Sequence, residues 1–302
     1  MSGPDSQVQT MVPRALDADR RTEVWIGRAD GGAAQLVYEV DDLLLEAPNW
    51  SPDGDALLLN GAGKLWRLDL TDPSARLANV DLGSIPTINN DHVLDAERAL
   101  IYLSADDGQI YAAPLQGGPA TLVSHDRSKY HFLHGVSPDG ATLAFVELPG
   151  VFTVPGKLAL MPAAGGATRY LDAGTSRLDG PEYSPDGKWI YFNTEQFGTC
   201  RGHAQIARIP ADGGVVERLV TSDAVDWFPH LSPAGDFATY LRFPVGTVGH
   251  PANLDVEVNV VRTSDWEEPV ASYPVVGGQG TINVNSWSPD GQRFAFVAYP
   301  QR

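Results

Sequence analysis

Six times along the chain a run of alternating apolar residues follows a polar turn, and a segment ending on a bulky packing residue comes before it. The last copy, Trp287-Ser288-Pro289-Asp290-Gly291-Gln292-Arg293-Phe294-Ala295-Phe296, is the clearest. Proline presets φ, aspartate bonds back to its own backbone and glycine accepts a positive φ, so the tetrapeptide predicts a tight hairpin between two strands. Other copies begin at Ser51, Ser137, Ser184 and Ser232, the last with Ala234 in place of aspartate. A decayed copy, Leu94-Asp95-Ala96-Glu97, precedes the strand pattern Leu100-Ile101-Tyr102-Leu103. Taken in order from Ser51 through Leu94 to Ser288, the spacings are 43, 43, 47, 48 and 56 residues. A period near forty with four short strands per unit predicts a β-propeller.

Each hairpin is followed by a second half-unit of strand, glycine-rich turn and strand, as in Gln109-Ile110-Tyr111 to Gly117-Gly118 and Leu122-Val123. The chain opens with such a half-unit, Glu23 to Glu39, and closes with the complementary half, Thr281 to Tyr299. Together they predict one composite blade, which pairs the terminal strands and removes exposed edges. The expected architecture is all-β and six-bladed. Its blades are Leu45 to Val80, Ile88 to Ser124, His131 to Asp172, Asp179 to Thr221, Asp226 to Pro274 and the composite. Residues 1–20 carry no clear pattern and read as a flexible tail, with 21–302 as a single propeller domain.

Composition narrows the function classes. Hydrophobic residues make up 43 % and charged residues 20 % of the 302, with no apolar run long enough to span a membrane. The first residues lack a basic segment followed by an apolar core, so the expected compartment is the cytoplasm. One cysteine, Cys200, excludes an internal disulfide framework. A net charge of −17 argues against nucleic acid or an anionic membrane surface as partner.

The repeats Pro48-Asn49-Trp50-Ser51-Pro52-Asp53-Gly54, Pro181-Glu182-Tyr183-Ser184-Pro185-Asp186-Gly187 and Trp287-Ser288-Pro289-Asp290-Gly291 resemble those of the TolB-like six-bladed propellers over about residues 23 to 300. That resemblance implies the fold. For function it implies a choice, because related propellers include a protein-docking module, peptidase gating domains and metal-dependent oligogalacturonate lyases.

In such a blade the Ser-Pro-Asp-Gly turns share one face. The starts of the inner strands and the loops between second and third strands share the other, where the central channel opens. Aligned on the turn, Trp50, Val93, Val136, Tyr183, Leu231 and Trp287 form a packing column. One step earlier stand Asn49, His92, Gly135, Glu182, His230 and Ser286, polar in five of six blades. Imidazole and carboxylate donors on three blades suggest a site for manganese, iron or zinc at His92, Glu182 and His230, with His250 as the alternative to Glu182. The alternative is that each group satisfies backbone along a water-filled channel.

Further upstream the mouth gains Asn90, Asp91, His134, Asp179, Trp227 and Asn283, and inserted loops add Asn193, His250 and Gln279. Trp227 beside asparagine and aspartate suggests stacking on a sugar. The glycine-rich loop Gly277-Gly278-Gln279-Gly280 does not precede a helical pattern, so no nucleotide cofactor is expected. Asp179 is available for acid–base work on a glycoside. No Gly-x-Ser-x-Gly elbow is present.

Two function classes follow. One is a metal-dependent lyase or isomerase acting on a sugar or sugar acid, with His134 or His250 as the base. The resemblance to the lyases rests on Phe228-Pro229-His230-Leu231-Ser232-Pro233, where their second histidine is Phe228 here. The other is a non-catalytic TolB-like propeller that docks a protein or peptide in its funnel. A purely structural part of a larger assembly is a third possibility.

Overall fold

The hairpins form because each turn is closed by its own side chains. In the computed structural model, which describes residues 8–302 except 73, 75, 76 and 151, the Ala56 amide donates to Ser51 Oγ at 2.9 Å. That hydroxyl in turn donates to Asp53, and Gly54 takes φ +81°. The arrangement recurs at Ser137, Ser184 and Ser288. Where Ala234 removes the turn carboxylate, Asp236 accepts the Ser232 hydroxyl at 2.8 Å instead. The decayed turn is held by Asp95, which accepts from the Arg98 amide at 3.0 Å while Ala99 takes φ +51°.

These hairpins build six antiparallel sheets arranged in a ring, a six-bladed propeller. The first blade runs Glu46–Trp50, Ala56–Gly61, Lys64–Asp69 and Leu77–Val80. The inner strands of the next four are Ile88–Asp95, Tyr130–Val136, Leu178–Tyr183 and Val225–Leu231. In the composite blade Thr22–Arg28 pairs with Arg293–Ala298, from Glu23 opposite Ala298 to Arg28 opposite Arg293, and with Gln35–Val40 on its other edge.

This last sheet has three strands rather than the expected four. Residues 281–287 follow the inner path, but the Trp287–Phe294 bridge, two amide bonds, Ala295 to Ser286 O and Val297 to Thr281 O, and the Ser286 hydroxyl bond to Ala295 O tie them to the neighbouring strand in place of a regular ladder. Side-chain amides capture backbone donors here. Asn283 Oδ1 accepts from the Gly280 amide at 2.7 Å and Asn285 Oδ1 from the Trp287 amide at 3.0 Å, so the ladder cannot run through.

The core lies between the blades. Val24, Trp50, Leu57, Leu59 and Val297 join the composite blade to the first, and Phe228, Val258, Trp287, Phe294 and Phe296 join it to the fifth. Removing each such side chain from water contributes roughly 1.5–3 kcal/mol. The tryptophans of the packing column also bond, Trp50 Nε1 to Gly54 O at 2.9 Å and Trp287 Nε1 to His230 O at 3.1 Å.

Two features position the channel mouth. All five regular inner strands carry a register shift, between Glu46/Asn49, Ile88/His92, Leu133/Gly135, Asp179/Glu182 and Trp227/His230. Within three of these shifts Ala47, Gly180 and Phe228 take φ of 52°, 63° and 55°. A bulge of this kind re-aims the side chains on either side of it.

The second feature is the N-terminal segment. Residues 1–7 of the expected tail lie outside the described residues, but residues 8–20 are laid across the mouth rather than free. The Val8 amide donates to Arg127 O at 2.9 Å, Met11 to Asp106 O at 2.7 Å, and Tyr130 Oη to Gln9 O at 2.6 Å. Arg20 then bridges to Gln301 at the composite blade.

Candidate functional site at the funnel mouth

The bulges separate two rings of polar side chains. Below them lies the aligned column. Asn49 Oδ1 meets His92 Nδ1 at 2.5 Å, and its amide donates to Asn285 O at 2.7 Å. Asn285 donates to Glu182 Oε1 at 2.7 Å, and the Leu231 amide donates to the same oxygen at 2.9 Å. Glu182 Oε2 lies 2.6 Å from His230 Nδ1, and His230 Nε2 lies 2.6 Å from Ile282 O. The result is a belt of bonds running from blade to blade.

This belt does not suit a divalent ion. Both nitrogens of His230 face oxygen acceptors and both oxygens of Glu182 are engaged, so no lone pair is directed at a common point. His92 bonds to Asn49 rather than approaching the pair, and burial lowers its pKa to about 3, keeping it neutral. Among the described residues no group of three His, Cys, Asp or Glu side chains could hold a metal. Contrary to the sequence expectation, His92, Glu182 and His230 do not come together as a ligand set: Glu182 and His230 are consumed by each other and by Asn285, Leu231 and Ile282, while His92 turns Nδ1 to Asn49 and leaves Nε2 buried without a partner.

Above the bulges the chain encloses a cavity of 690 Å³. Its walls include Glu46, Asn90, Asp91, His134, Asp179, Trp227, His250, Gln279 and Asn283, so most of the residues expected at the mouth do line it. Asn49 and Asn193 do not. Asn49 belongs to the belt, and Asn193 Oδ1 accepts the Phe228 amide at 3.1 Å, which satisfies a backbone donor of the bulge. Trp227 is 7 % exposed and packs 4.4 Å from the His250 ring, centroid to centroid, so its face is covered rather than offered for stacking.

His134 stands at the centre of the wall. Its Nε2 is 3.1 Å from Asp179 Oδ1 and 3.8 Å from Asp91 Oδ1, and its Nδ1 is 3.2 Å from Asn283 O. His250 Nε2 approaches Asp179 Oδ2 at 3.7 Å. Burial penalises a charged imidazole, but Asp91 and Asp179 outweigh it and raise the His134 pKa to about 9. Asp91 moves up to about 7, mainly through burial, with His134 opposing and Asp179 and Glu46 adding to the rise. Asp179 is raised by burial but lowered further by its bond to His134, and ends below the usual carboxylate range. Burial holds His250 down.

Two residues central to the mouth escaped the sequence reading. Glu46, 4 % exposed, accepts from Asn60 Nδ2 at 3.1 Å and Asn90 Nδ2 at 3.2 Å, and it forms an ion pair with Arg14 from the N-terminal segment. Arg14 Nη1 also donates to Gln279 O at 3.0 Å. A charge after the apolar run Leu43-Leu44-Leu45 was a usable signal for Glu46. Arg14 had none, because its partners arrive from distant blades.

No protein-family model matches the chain. It is 41 % identical over 299 residues to an uncharacterised protein of Agrobacterium fabrum, covering 97 % of this chain and 98 % of that one. Among solved structures, an Agrobacterium tumefaciens protein provisionally described as TolB is 37 % identical, with a TM-score of 0.83 over 94 % of this chain and 99 % of that one. The chain belongs to the TolB-like propeller family. TolB of Acinetobacter baumannii is similar in fold, with a TM-score of 0.62 at 16 % identity over 87 % of this chain and 66 % of that one. An oligogalacturonate lyase in complex with manganese is more distant, at 0.55 and 14 % identity over 91 % and 78 %. In this TolB-like propeller the fold is therefore shared with both functional classes, and the wall of the mouth has to distinguish them.

Proposed function

We propose that this TolB-like propeller is a non-catalytic docking module that takes an extended polypeptide segment into its funnel. One observation carries the reading: the funnel already holds such a segment. Residues 8–14 lie along the mouth without forming a strand of any blade; the Val8 and Met11 amides bond to the loop carbonyls of Arg127 and Asp106, and residues 11–14 line the cavity, as a peptide ligand would. The family supports it, since the relative at 37 % identity is provisionally described as TolB. The rim is also suited to protein. Phe152 and Val248 are 53 % and 54 % exposed beside the cavity, and apolar side chains of this kind provide anchor points among polar neighbours.

The test is selection of peptides from a random display library against the full chain, followed by measurement of affinity for Val248→Asp and Phe152→Asp. Peptides that dock in the funnel bind in the micromolar range and lose at least tenfold in either variant. Peptides indifferent to both substitutions would place docking elsewhere and defeat the reading.

A second reading, acid–base chemistry on a sugar acid, rests on Asp91 and His134. The two lie 3.8 Å apart in the cavity wall, and the Asp91 pKa is near 7. Turnover of a uronate oligosaccharide that disappears in Asp91→Asn would favour it over docking.

A further inference from the structure

The ion pair at the mouth is more elaborate than a fold needs. Glu46 is almost wholly buried, and its two oxygens are held from below by Asn60 and Asn90. Beside it the Gln279 carbonyl points the same way, and Arg14 Nη1 bonds to both. That carbonyl can stand so close only because Gly280 follows it. With φ +91° the residue is in the left-handed region, and a Cβ there would run into Tyr299 Oη and the Glu46 carboxylate.

Acceptors remain on this wall. Asn60 lines the cavity at 3 % exposure and leaves Oδ1 without a partner, and Gln279 Oε1 is likewise buried and unpartnered. A guanidinium carries five N–H donors in a planar fork, and only Nη1 of Arg14 makes bonds here. The subsite therefore has more acceptors than its present occupant uses. An ammonium ion would make a poorer match, because these acceptors lie on two separate elements and suit a planar donor with several N–H groups.

The occupant also comes from a segment outside the blades. Residues 8–19 form no regular strand, and Val12 beside Arg14 is 84 % exposed.

We infer that Glu46, the Gln279 carbonyl and Asn60 form an arginine-recognition subsite for a docked peptide, which the chain's own Arg14 fills until a partner's arginine replaces it. The inference rests on the docking reading and adds the chemistry of the partner: a segment with an arginine that reaches the funnel wall, flanked by small or apolar residues. The N-terminal segment is then a competitor in cis. Its advantage is that it is tethered, which gives a weak contact a high effective concentration.

The experiment uses the full chain, in its native form and as Arg14→Ala, a change at a partly exposed side chain outside the blade strands, with folding of the variant checked by its thermal unfolding. The probe is the capped tetrapeptide Val-Pro-Arg-Ala, copied from residues 12–15, and the control is the same peptide with citrulline for arginine. Binding is read by titration calorimetry. Arg14→Ala should bind the arginine peptide at least tenfold more tightly than the native chain does, and at least tenfold more tightly than it binds the citrulline peptide. Adding Glu46→Gln, which keeps the shape of the carboxylate, should abolish that preference. Equal binding of both peptides to both proteins would overturn the arginine subsite while leaving funnel docking standing. Absence of binding to Arg14→Ala would overturn the subsite as well, and the display selection would then decide docking independently.

Discussion

Below the bulges Asn49, His92, Glu182 and His230 make a bonded belt in which only His92 Nε2, at its end, lacks a partner. Above them Glu46, Asp91, His134 and Asp179 line an open wall. Both rings combine carboxylates with imidazole, and all of these side chains but the half-buried Asp179 are buried. Their surroundings differ. In the belt each polar atom of the Glu182–His230 pair meets a partner fixed by a neighbouring blade. In the wall one imidazole is shared between two carboxylates, and buried acceptors at Asn60 and Gln279 stay free. A satisfied network specifies structure, whereas an incompletely satisfied one facing a cavity can accept a ligand. The polar column in the sequence belongs to the first kind, and the less regular residues upstream belong to the second.

The comparison is most exposed to failure at Glu182. Glu182→Ala strands His230 Nδ1 and the Leu231 amide inside the channel and should cost about 3–5 kcal/mol of stability, read as a shift in urea midpoint at constant slope. A loss under about 1 kcal/mol would mean the belt is as loosely held as the wall.

A smaller effect should come from the wall through pH. The folded pKa of His134 is about 9 and its ordinary value 6.5, so its contribution is fully present below pH 6.5 and is lost as pH rises through 9. Stability should therefore fall by on the order of 2–3 kcal/mol across that window. His134→Gln should flatten the decline, and an unchanged slope would detach His134 from Asp91 and Asp179.

Gly280→Ala should cost about 1–3 kcal/mol by placing a Cβ against Tyr299 and Glu46 at a positive φ, with a matching loss of the Arg14 contact visible as faster amide exchange at Met11. Val248→Asp should leave stability within about 0.5 kcal/mol while weakening any funnel ligand, because the side chain is exposed on a loop. If this last substitution destabilised the chain instead, the rim would be part of the packing rather than a free surface.

Much of the fold was legible because its cause is local. Ser-Pro-Asp-Gly closes its own turn through bonds spanning two to five residues, so the hairpins, the blade period and the composite closure follow from short stretches of chain. Even the altered turn at Ser232 works by a local substitute, Asp236. The irregular inner path of the composite blade was less legible, since Asn283 and Asn285 can serve a ladder or cap a loop with equal ease.

The site was legible as a face and not as a set of contacts. Asp91, His134, Asp179 and Asn283 do line the cavity, as expected from their place before the turn, and so does His250 from its inserted loop. His92, Glu182 and His230 share a column yet pair sideways rather than converging, and Asn193 serves the backbone of a bulge. Ala47 and Phe228 adopt positive φ without glycine to announce it, so two of the bulges that divide the rings leave no mark on the sequence, whereas Gly180 marks a third.

The sequence by itself determined the blades, their number, the closure of the ring and the face on which the channel opens, because turn chemistry and strand alternation act over a few residues. Tertiary structure alone decided which polar groups are consumed and which remain available. Glu46 meets Arg14 across 32 residues, and Arg14 meets Gln279 across 265. Such contacts depend on distances between blades that no local pattern encodes.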